Sequence, residues 1–293
     1  MELPSHSILM APPDLSAIDN IGNAVGLIPP NEPAGFPVPV IWIDGVMMRC
    51  PSTEQLAPVT GGTGLVTPAF ISDSGVVSGQ TIASVLRWTC TPASEAIDVI
   101  ALPDQSAEIH AANNRGDVAG ISMGSAGQEV FLWNSTSFES YPIPVSTPVD
   151  QISSTFVRVV DLSDEGAISV AATVSLAAPS GTPPAEFVFA TITASGTEVH
   201  FEAELDDVFV PVRGTPAGLV AGYISPAAGS LRSTEPHLLA DGQIVPLSRV
   251  VSGLDAYPEL TLIDMNDRGQ ILLQSGGIVA NVVGLLLSPT QST

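Results

Sequence analysis

One short motif occurs six times along this chain of 293 residues, at intervals of 41 to 53 residues. Each copy centres on a glycine, and the residue three positions before that glycine has a side-chain oxygen that can accept a hydrogen bond. The glycines are Gly22, Gly75, Gly116, Gly166, Gly218 and Gly269, and the acceptors are Asp19, Ser72, Asn113, Ser163, Thr215 and Asn266. An acceptor favours the first position of a type I turn, and glycine suits a left-handed last position. Each motif therefore predicts a β-hairpin tip, and the period is typical of propeller blades.

Two further strands are predicted after most of these hairpins. Six apolar segments follow the hairpins as third strands: 40–44, 85–89, 130–134, 187–191, 237–241 and 284–288. Five segments follow as fourth strands: 46–50, 97–102, 138–143, 197–202 and 243–247. Trp42, Trp88 and Trp133 occupy matching third-strand positions, which indicates packing between repeats. No helical periodicity is evident.

The two chain ends complement each other. The sixth repeat has no fourth strand, whereas the apolar segment 6–10 precedes the first repeat without a partner. Pairing 6–10 with 284–288 would remove an open sheet edge. The sequence therefore predicts an all-β fold: a six-bladed β-propeller of four antiparallel strands per blade, closed by the N-terminal strand. The predicted single domain spans 1–293, with blades at about 11–50, 66–103, 107–145, 156–204, 207–247 and 259–288 plus 6–10.

The repeat also resembles a known family. The pattern [I/L]-[N/S]-[D/N]-x-G-x-[V/I]-x-G, followed by an apolar strand with Phe or Leu before Trp, resembles the HAF-repeat family of bacterial propeller-like proteins. The likeness spans nearly the whole chain and is strongest in the first three repeats, since Gly166 and Gly269 lack the second glycine. The resemblance implies a propeller architecture and a bacterial origin, but no shared chemistry, because a fold does not fix a function.

Composition excludes several classes of function. The net charge is −22, and Arg supplies all 8 basic residues, so no clustered basic surface can neutralise the phosphates of a nucleic acid. No uninterrupted apolar stretch is long enough for a membrane span. The N-terminus shows no signal-peptide pattern, which predicts a cytoplasmic protein as written, or a secreted one if a leader was removed. Cys50 and Cys90 cannot form a disulfide framework, and we expect them to remain unpaired.

Residues 115–117 spell Arg-Gly-Asp, the tripeptide that integrins bind. Gly116 is one of the six turn glycines, and the other five tips carry different residues at the flanking positions. Turn geometry therefore explains the tripeptide better than adhesion does.

A polar ring is predicted where the innermost strands begin. Eight residues before each turn glycine stand Asp14, Thr67, Glu108, Arg158, Val210 and Thr261, five of them polar. The long connections reach the same face, which is the usual construction of a binding site on a rigid scaffold. An ordinary Glu108–Arg158 ion pair between adjacent blades at a solvated channel mouth is the alternative.

A second charged group lies closer to the hairpin face. Asp161, Arg213 and Asp264 stand five residues before the glycines of blades four, five and six. The arrangement favours a structural bridge, with Ca²⁺ as the alternative, although neither acidic segment completes a calcium loop. No cofactor or metal is expected.

The function predicted from the sequence is the binding of a small, neutral or cationic, mainly hydrophobic molecule at the loop-rich mouth. Its predicted contacts are Arg158, Thr67, Thr261, Tyr257 and Phe36. The alternatives are an enzyme (a cyclase, lyase or hydrolase) in which Glu108, His110 and Asp14 move protons, and a protein-interaction scaffold. The chain is expected to act as a monomer without nucleic-acid or membrane partners.

Overall fold

A computed structural model describes residues 8–9, 14–28, 37–43, 46–49, 56, 58, 60, 66–81, 84–89, 97–101, 107–124, 127–134, 137–146, 152–176, 185–205, 208–225, 235–240, 243–257, 260–275 and 283–288. These residues form six four-stranded antiparallel sheets. The innermost strands of neighbouring sheets contact one another around a closed ring. The protein is therefore a six-bladed β-propeller, as the repeat predicts.

The strands follow the chain blade by blade, and β1 (Ile8–Leu9) precedes the first of them. Blade 1 contains β2 (Asp14–Ile18), β3 (Ala24–Ile28), β4 (Val38–Ile43) and β5 (Val46–Arg49). Blade 2 contains β6 (Thr67–Ile71), β7 (Val76–Gln80), β8 (Ser84–Thr89) and β9 (Asp98–Ala101). Blade 3 contains β10 (Glu108–Ala112), β11 (Val118–Gly124), β12 (Gly127–Trp133) and β13 (Phe138–Pro142).

The second half of the chain continues the pattern. Blade 4 contains β14 (Ile152–Leu162), β15 (Ile168–Leu176), β16 (Ala185–Thr193) and β17 (Gly196–Leu205). Blade 5 contains β18 (Val208–Gly214), β19 (Val220–Ser225), β20 (Pro236–Ala240) and β21 (Gln243–Pro246). Blade 6 contains β22 (Leu260–Met265), β23 (Ile271–Ser275) and β24 (Val283–Leu287).

The N-terminal strand completes blade 6. Ile8 pairs with Leu285 and Leu9 with Gly284, so β1 is the outermost strand of the sheet β22-β23-β24-β1. The predicted closure is confirmed. It covers the edge of β24, which would otherwise expose unpaired backbone groups.

All six turn motifs form the same hairpin tip. Each turn glycine has a positive φ, between 71° and 95°. Its N–H donates to the carbonyl of the acceptor residue three positions earlier, as from Gly116 to Asn113 at 3.0 Å. The side-chain oxygen of that residue also accepts a backbone N–H four positions ahead, as from Asp117 to Asn113 at 2.9 Å. The acceptor therefore stabilises the turn and the glycine permits it.

Each innermost strand carries a β-bulge six residues before the turn glycine. A bulge disrupts the ladder locally, so the N–H beside it needs another acceptor. In four blades the preceding blade supplies one. The N–H of Leu15 donates to Gln274, that of Ile109 to Gln80, that of Val159 to His110 and that of Leu262 to Tyr223.

The other two blades meet the same requirement with proline. Pro68 and Pro211 occupy the equivalent position in blades 2 and 5, seven residues before the turn glycine. Proline has no N–H, so no acceptor is needed there. The backbone requirement is therefore met in all six blades.

The core lies between the blades. Each of the three tryptophans shares a hydrophobic cluster with residues of the preceding blade: Trp42 with Ile263 and Leu286, Trp88 with Ala17 and Val25, and Trp133 with Val85. The predicted packing role of the tryptophans is consistent with these contacts. Since each blade buries its face against the next, no blade has a complete core of its own.

One feature of the connections was not predicted. Residues 247–256 contain a short helix α1 (Leu247–Val250) and a 3₁₀ helix (Leu254–Ala256). Leu247, Val251 and Leu254 are buried in the core between blades 5 and 6. Elements of four and three residues are too short to show a helical period in sequence, which explains the difference.

We predict that Gly116→Ala destabilises the protein more than Gly75→Ala. Both glycines have a positive φ, near 80°, which costs alanine on the order of 1 kcal/mol. A Cβ at Gly116 would also collide with Nη1 of Arg87, whereas one at Gly75 meets nothing within 4 Å. Urea unfolding of both variants measures the difference. Equal losses would show that the Arg87 contact relaxes freely.

We also predict that Gln80→Leu lowers the free energy of unfolding by about 1–3 kcal/mol, because it strands a buried N–H. Gln80 accepts from Ile109 at 3.0 Å and donates to the carbonyl of Ala107 at 2.7 Å. The exposed Gln128→Leu is the control, with an expected change below about 0.5 kcal/mol.

A double-mutant cycle isolates the N–H. Ile109→Pro removes the donor, as Pro68 and Pro211 do in their blades. The double variant Gln80→Leu/Ile109→Pro should therefore lose less stability than the sum of the losses of the two single variants. Strict additivity would contradict the assigned role of the Gln80–Ile109 bond.

Candidate functional site

A cavity of about 320 Å³ lies on the ring axis, at the end of the channel where the hairpin tips meet. All six innermost strands or their tips contribute to its wall. Its sides include an apolar belt formed by the residues four positions before the turn glycines. The belt residues are Ile18, Ile71, Ala112, Leu162 and Met265. These residues belong to the hydrophobic clusters between the blades, and they also form part of the cavity wall.

The rim of the cavity is a chain of hydrogen bonds between neighbouring tips. The residue at the second turn position of one blade donates its backbone N–H to the side chain at the equivalent position of the next blade. The links run from Asn20 to Asp73, Asp73 to Asn114, Asn114 to Asp164 and Asp267 to Asn20, at 2.9–3.1 Å. Alternating carboxylates and carboxamides therefore hold the tips together.

The rim is interrupted at blade 5. Pro216 occupies the equivalent position there, and it has neither an N–H to donate nor a side chain that can accept. Pro216 is exposed and lines the cavity between the carboxylates of Asp164 and Asp267. The tips of blades 4, 5 and 6 thus lack the links that join the others.

Below the rim, Arg213 binds one carboxylate. Its Nε lies 2.6 Å from Oδ1 of Asp264, and both side chains are buried. Oδ2 of Asp264 accepts the backbone N–H of Ile18 at 2.8 Å. Arg213 also donates from Nη1 to the carbonyl of Val212, and within the described part of the chain its Nη2 makes no hydrogen bond. That N–H group is available to a ligand.

Asp161 lies in the same cavity, and no basic group among the described residues pairs with it. The sequence predicts that Arg213 bridges Asp161 and Asp264, but its ion pair is with Asp264 alone. Burial, and then the carboxylate of Asp267, raise the pKa of Asp161 to about 7; Asp164 adds a smaller effect. A carboxylate in such a position is a candidate ligand contact.

Glu108, His110 and Arg158 form a connected group on the loop side of the cavity, and His110 also contributes to the cavity wall. Nη1 of Arg158 and Nε2 of His110 lie 3.3 and 3.4 Å from Oε1 of Glu108. Nδ1 of His110 accepts the N–H of Val159, so the proton of the neutral ring is on Nε2, facing Glu108. This is the interblade ion pair that the sequence allows, with His110 as a third member.

The charge states of this group are fixed by its surroundings. Burial lowers the pKa of His110 to about 4. The hydrogen bond from His110, with Arg158 nearby, lowers the pKa of Glu108 to about 2, while burial lowers that of Arg158 to about 10. Near neutral pH, His110 is neutral and Glu108 is ionised. A base of such low pKa is poorly matched to proton transfer at that pH.

The other predicted site residues are placed as follows. Thr67 and Thr261 are exposed at the starts of β6 and β22. Tyr257 is half-buried and packs against the core between blades 5 and 6. The backbone of Asp14 begins β2, but its side chain lies outside the described residues. Phe36, Cys50 and Cys90 also lie outside them.

The Arg-Gly-Asp segment is folded onto itself. Nη2 of Arg115 lies 2.9 Å from Oδ2 of Asp117, and that carboxylate also accepts from Asn113. Asp117 is buried. An adhesion ligand must present its carboxylate, so the geometry supports the structural role that the repeat indicates.

Neither a metal centre nor a membrane span is seen in the described residues. No three of their His, Cys, Asp or Glu side chains are arranged to hold a metal ion. None of their helices is long and apolar enough to cross a membrane.

Comparisons with known proteins do not indicate a function for this chain. No family model and no curated protein matches the chain. Among solved structures, it is similar to the extracellular domain of a "putative one component system" from B. thetaiotaomicron, at a TM-score of 0.44 and 8% identity. The alignment covers 99% of this chain and 40% of that one, so this chain spans less than half of its length. The likeness carries no argument about function.

The sequence predicts a site at the loop-rich mouth and does not predict the cavity at the hairpin end. The pattern did contain its main signals: a hydrogen-bonding residue, Asn or Asp, at the second turn position of five tips, and Pro216 in the sixth. It also contained the acceptors Gln80, Tyr223 and Gln274, each five residues after a turn glycine. Their meaning depends on which blade lies beside which, and a single repeat does not show this.

We predict that Asp161→Asn raises the free energy of unfolding at pH 8, on the order of 1 kcal/mol or more, because one pKa unit corresponds to about 1.4 kcal/mol. The folded carboxyl binds a proton as pH falls through about 7, but the unfolded one does so only near 3.8. The wild-type protein therefore recovers stability on acidification, and the advantage of asparagine should shrink by pH 5.

Chemical denaturation at pH 8 and pH 5 measures this advantage. Glu129→Gln, which removes a carboxylate outside the cavity, is the control at both values. A destabilised Asp161→Asn at pH 8 would show that the carboxylate makes a stabilising contact instead.

Proposed function

We propose that this protein is a binding module for a small, mainly apolar molecule, held in the cavity at the hairpin end of the channel. The observation that carries the proposal is the cavity itself, in which an apolar belt lies beside a larger set of polar and charged side chains. Its volume of about 320 Å³ falls in the range of small-molecule sites, about 300–1,000 Å³.

The belt would receive the apolar part of the ligand. Ile18, Ile71, Leu162 and Met265 are buried and project from four different blades. A ligand that replaces water against these side chains gains hydrophobic free energy, about 25 cal/mol per Å² of apolar surface. Rigid strands hold the belt, so little ordering is needed on binding.

The polar groups would orient the ligand. Arg213 is held in place by Asp264, and its Nη2 is able to donate to a hydroxyl or carbonyl oxygen. Because the buried ion pair fixes the guanidinium, the donor is preorganised. This donor would favour a ligand that carries a hydrogen-bond acceptor among its polar groups.

The loop-rich face remains a second candidate, as the sequence predicts. The structure describes Glu108, His110 and Arg158 there, but most of the connecting loops lie outside the described residues. The enzyme and scaffold hypotheses also stay predictions, and the charge states of Glu108 and His110 give the proton-transfer hypothesis no support. The resemblance to the HAF-repeat family stays a prediction and adds no chemistry.

Benzyl alcohol is a suitable neutral probe, since its ring shifts the NMR signals of nearby methyl groups. We expect a saturable shift at the methyl groups of Ile71 and Met265 and little change at Thr67 and Thr261. The first pair lies at the hairpin ends of β6 and β22, and the second pair lies at the loop ends of the same two strands. The comparison therefore distinguishes the two faces within single strands.

A blocking variant tests the location independently. Pro216→Trp places a large ring at the rim and should weaken binding about tenfold or more, a loss of about 1.4 kcal/mol. Ala217→Trp is the matched control, because Ala217 is exposed on the same turn but does not line the cavity. Shifts confined to Thr67 and Thr261 would place the site on the loop face. No saturable shift at either end would refute the proposal.

A further inference from the structure

We infer that the ligand of this cavity is a protonated amine, whose ammonium group pairs with Asp161. The inference rests on the proposed function and names the chemical class of its ligand. It arises from the way charges are distributed inside the cavity: one carboxylate is neutralised, and the others are not.

The neutralised carboxylate is Asp264. Arg213 lies on β18, between β14 with Asp161 and β22 with Asp264, at equal depth from the turn glycines. It forms its ion pair with Asp264 alone. The basic residue that could have neutralised Asp161 is therefore already engaged. Above about pH 7, Asp161 is charged and has no basic partner among the described residues.

The carboxylates of the rim are also unneutralised. Asp73 and Asp164 accept hydrogen bonds from the amides of Asn20 and Asn114, and Asp267 accepts one from Asn20. Amide donors orient a carboxylate without cancelling its charge. In the described part of the chain, none of these carboxylates has a basic group within 4 Å. The opening of the cavity is therefore negative, which attracts cations and repels anions.

Two of the rim carboxylates lie on either side of the interruption at Pro216. Asp164 and Asp267 flank Pro216, and both raise the pKa of Asp161, so their charges act on Asp161 at close range. A cation that enters beside Pro216 meets these two carboxylates first and Asp161 below them.

The apolar belt selects an amine over an inorganic ion. Ile18, Ile71, Leu162 and Met265 offer no ligand oxygen to a metal, and no metal-binding group is present among the described residues. An organic cation satisfies both surfaces, because its ammonium group pairs with Asp161 and its apolar part contacts the belt. Asp161 is costly to keep ionised without a partner, and a bound ammonium would remove that cost.

Protonation of Asp161 should compete with amine binding. Burial and the neighbouring carboxylates raise the pKa of Asp161 to about 7, so at pH 5.5 this carboxyl is mostly protonated and uncharged. The other titratable groups that line the cavity from neighbouring elements are His110 on β10, Asp19 and Asp73 on the tips of blades 1 and 2, Asp164 and Glu165 on the tip of blade 4, Asp264 on β22 and Asp267 on the tip of blade 6. His110 stays neutral across this range because its pKa is about 4.

Benzylamine and benzyl alcohol test the inference, since they differ in charge but scarcely in shape. Titrations followed by methyl NMR at Met265 should show benzylamine binding at least about tenfold more tightly at pH 8. That advantage should fall towards unity in Asp161→Asn, and in the wild-type protein at pH 5.5. Glu129→Gln, outside the cavity, should keep the full advantage.

The outcomes separate the inference from the proposed function. If benzyl alcohol binds and benzylamine has no advantage, or if the advantage survives both Asp161→Asn and low pH, the amine inference is wrong and the binding module stands. If neither probe binds at the belt, the proposed function itself fails. The pH series on the wild-type protein does not depend on how the variant folds.

Discussion

The structure depends on how each bulged innermost strand satisfies the N–H beside its bulge. A propeller brings these strands together on its axis, where a free N–H would cost about 1–3 kcal/mol. Four blades use an acceptor from the preceding blade, and two use Pro68 or Pro211. An acceptor is present where the next blade has an N–H to satisfy. Blade 2 carries Gln80 for the N–H of Ile109 in blade 3, whereas blade 1 has Leu27 at the equivalent position, because blade 2 has Pro68 and needs no acceptor. Neighbouring blades are thereby specified for one another.

The same requirement changes the interpretation of His110. A buried histidine beside a glutamate is often a catalytic pair, but this ring accepts the N–H of Val159 with Nδ1. It replaces the glutamine or tyrosine of other blades, and Ile121 in its own blade stands where those acceptors would be. Its burial, which lowers its pKa, is a consequence of this backbone role. Within the described residues Asp161 accepts no backbone N–H from a neighbouring blade, and it lines the cavity, which makes it the better candidate for a functional residue.

The hairpin end of the channel combines rigidity with an open side. Turn glycines, acceptor side chains and the Asn–Asp links between tips all fix the rim, and Pro216 interrupts it at one blade. A scaffold of this kind can hold a carboxylate without a basic partner, such as Asp161, at a fixed depth, even though its raised pKa predicts that the ionised form lowers stability. Groups that cost stability and remain in a cavity are characteristic of functional sites.

The sequence by itself determined the fold, because its signals are local and recur. A type I turn needs an acceptor and a glycine within four residues, so six copies of that pattern identify six blades, and the unmatched end segments identify the closure. The site could not be derived in this way. Which carboxylate Arg213 neutralises, and which end of the channel holds a cavity, depend on distances between residues about fifty positions apart. Spacing along the chain places Asp161 and Asp264 at equal depth. Only the packing of the six blades decides that Arg213 pairs with Asp264 and not with Asp161.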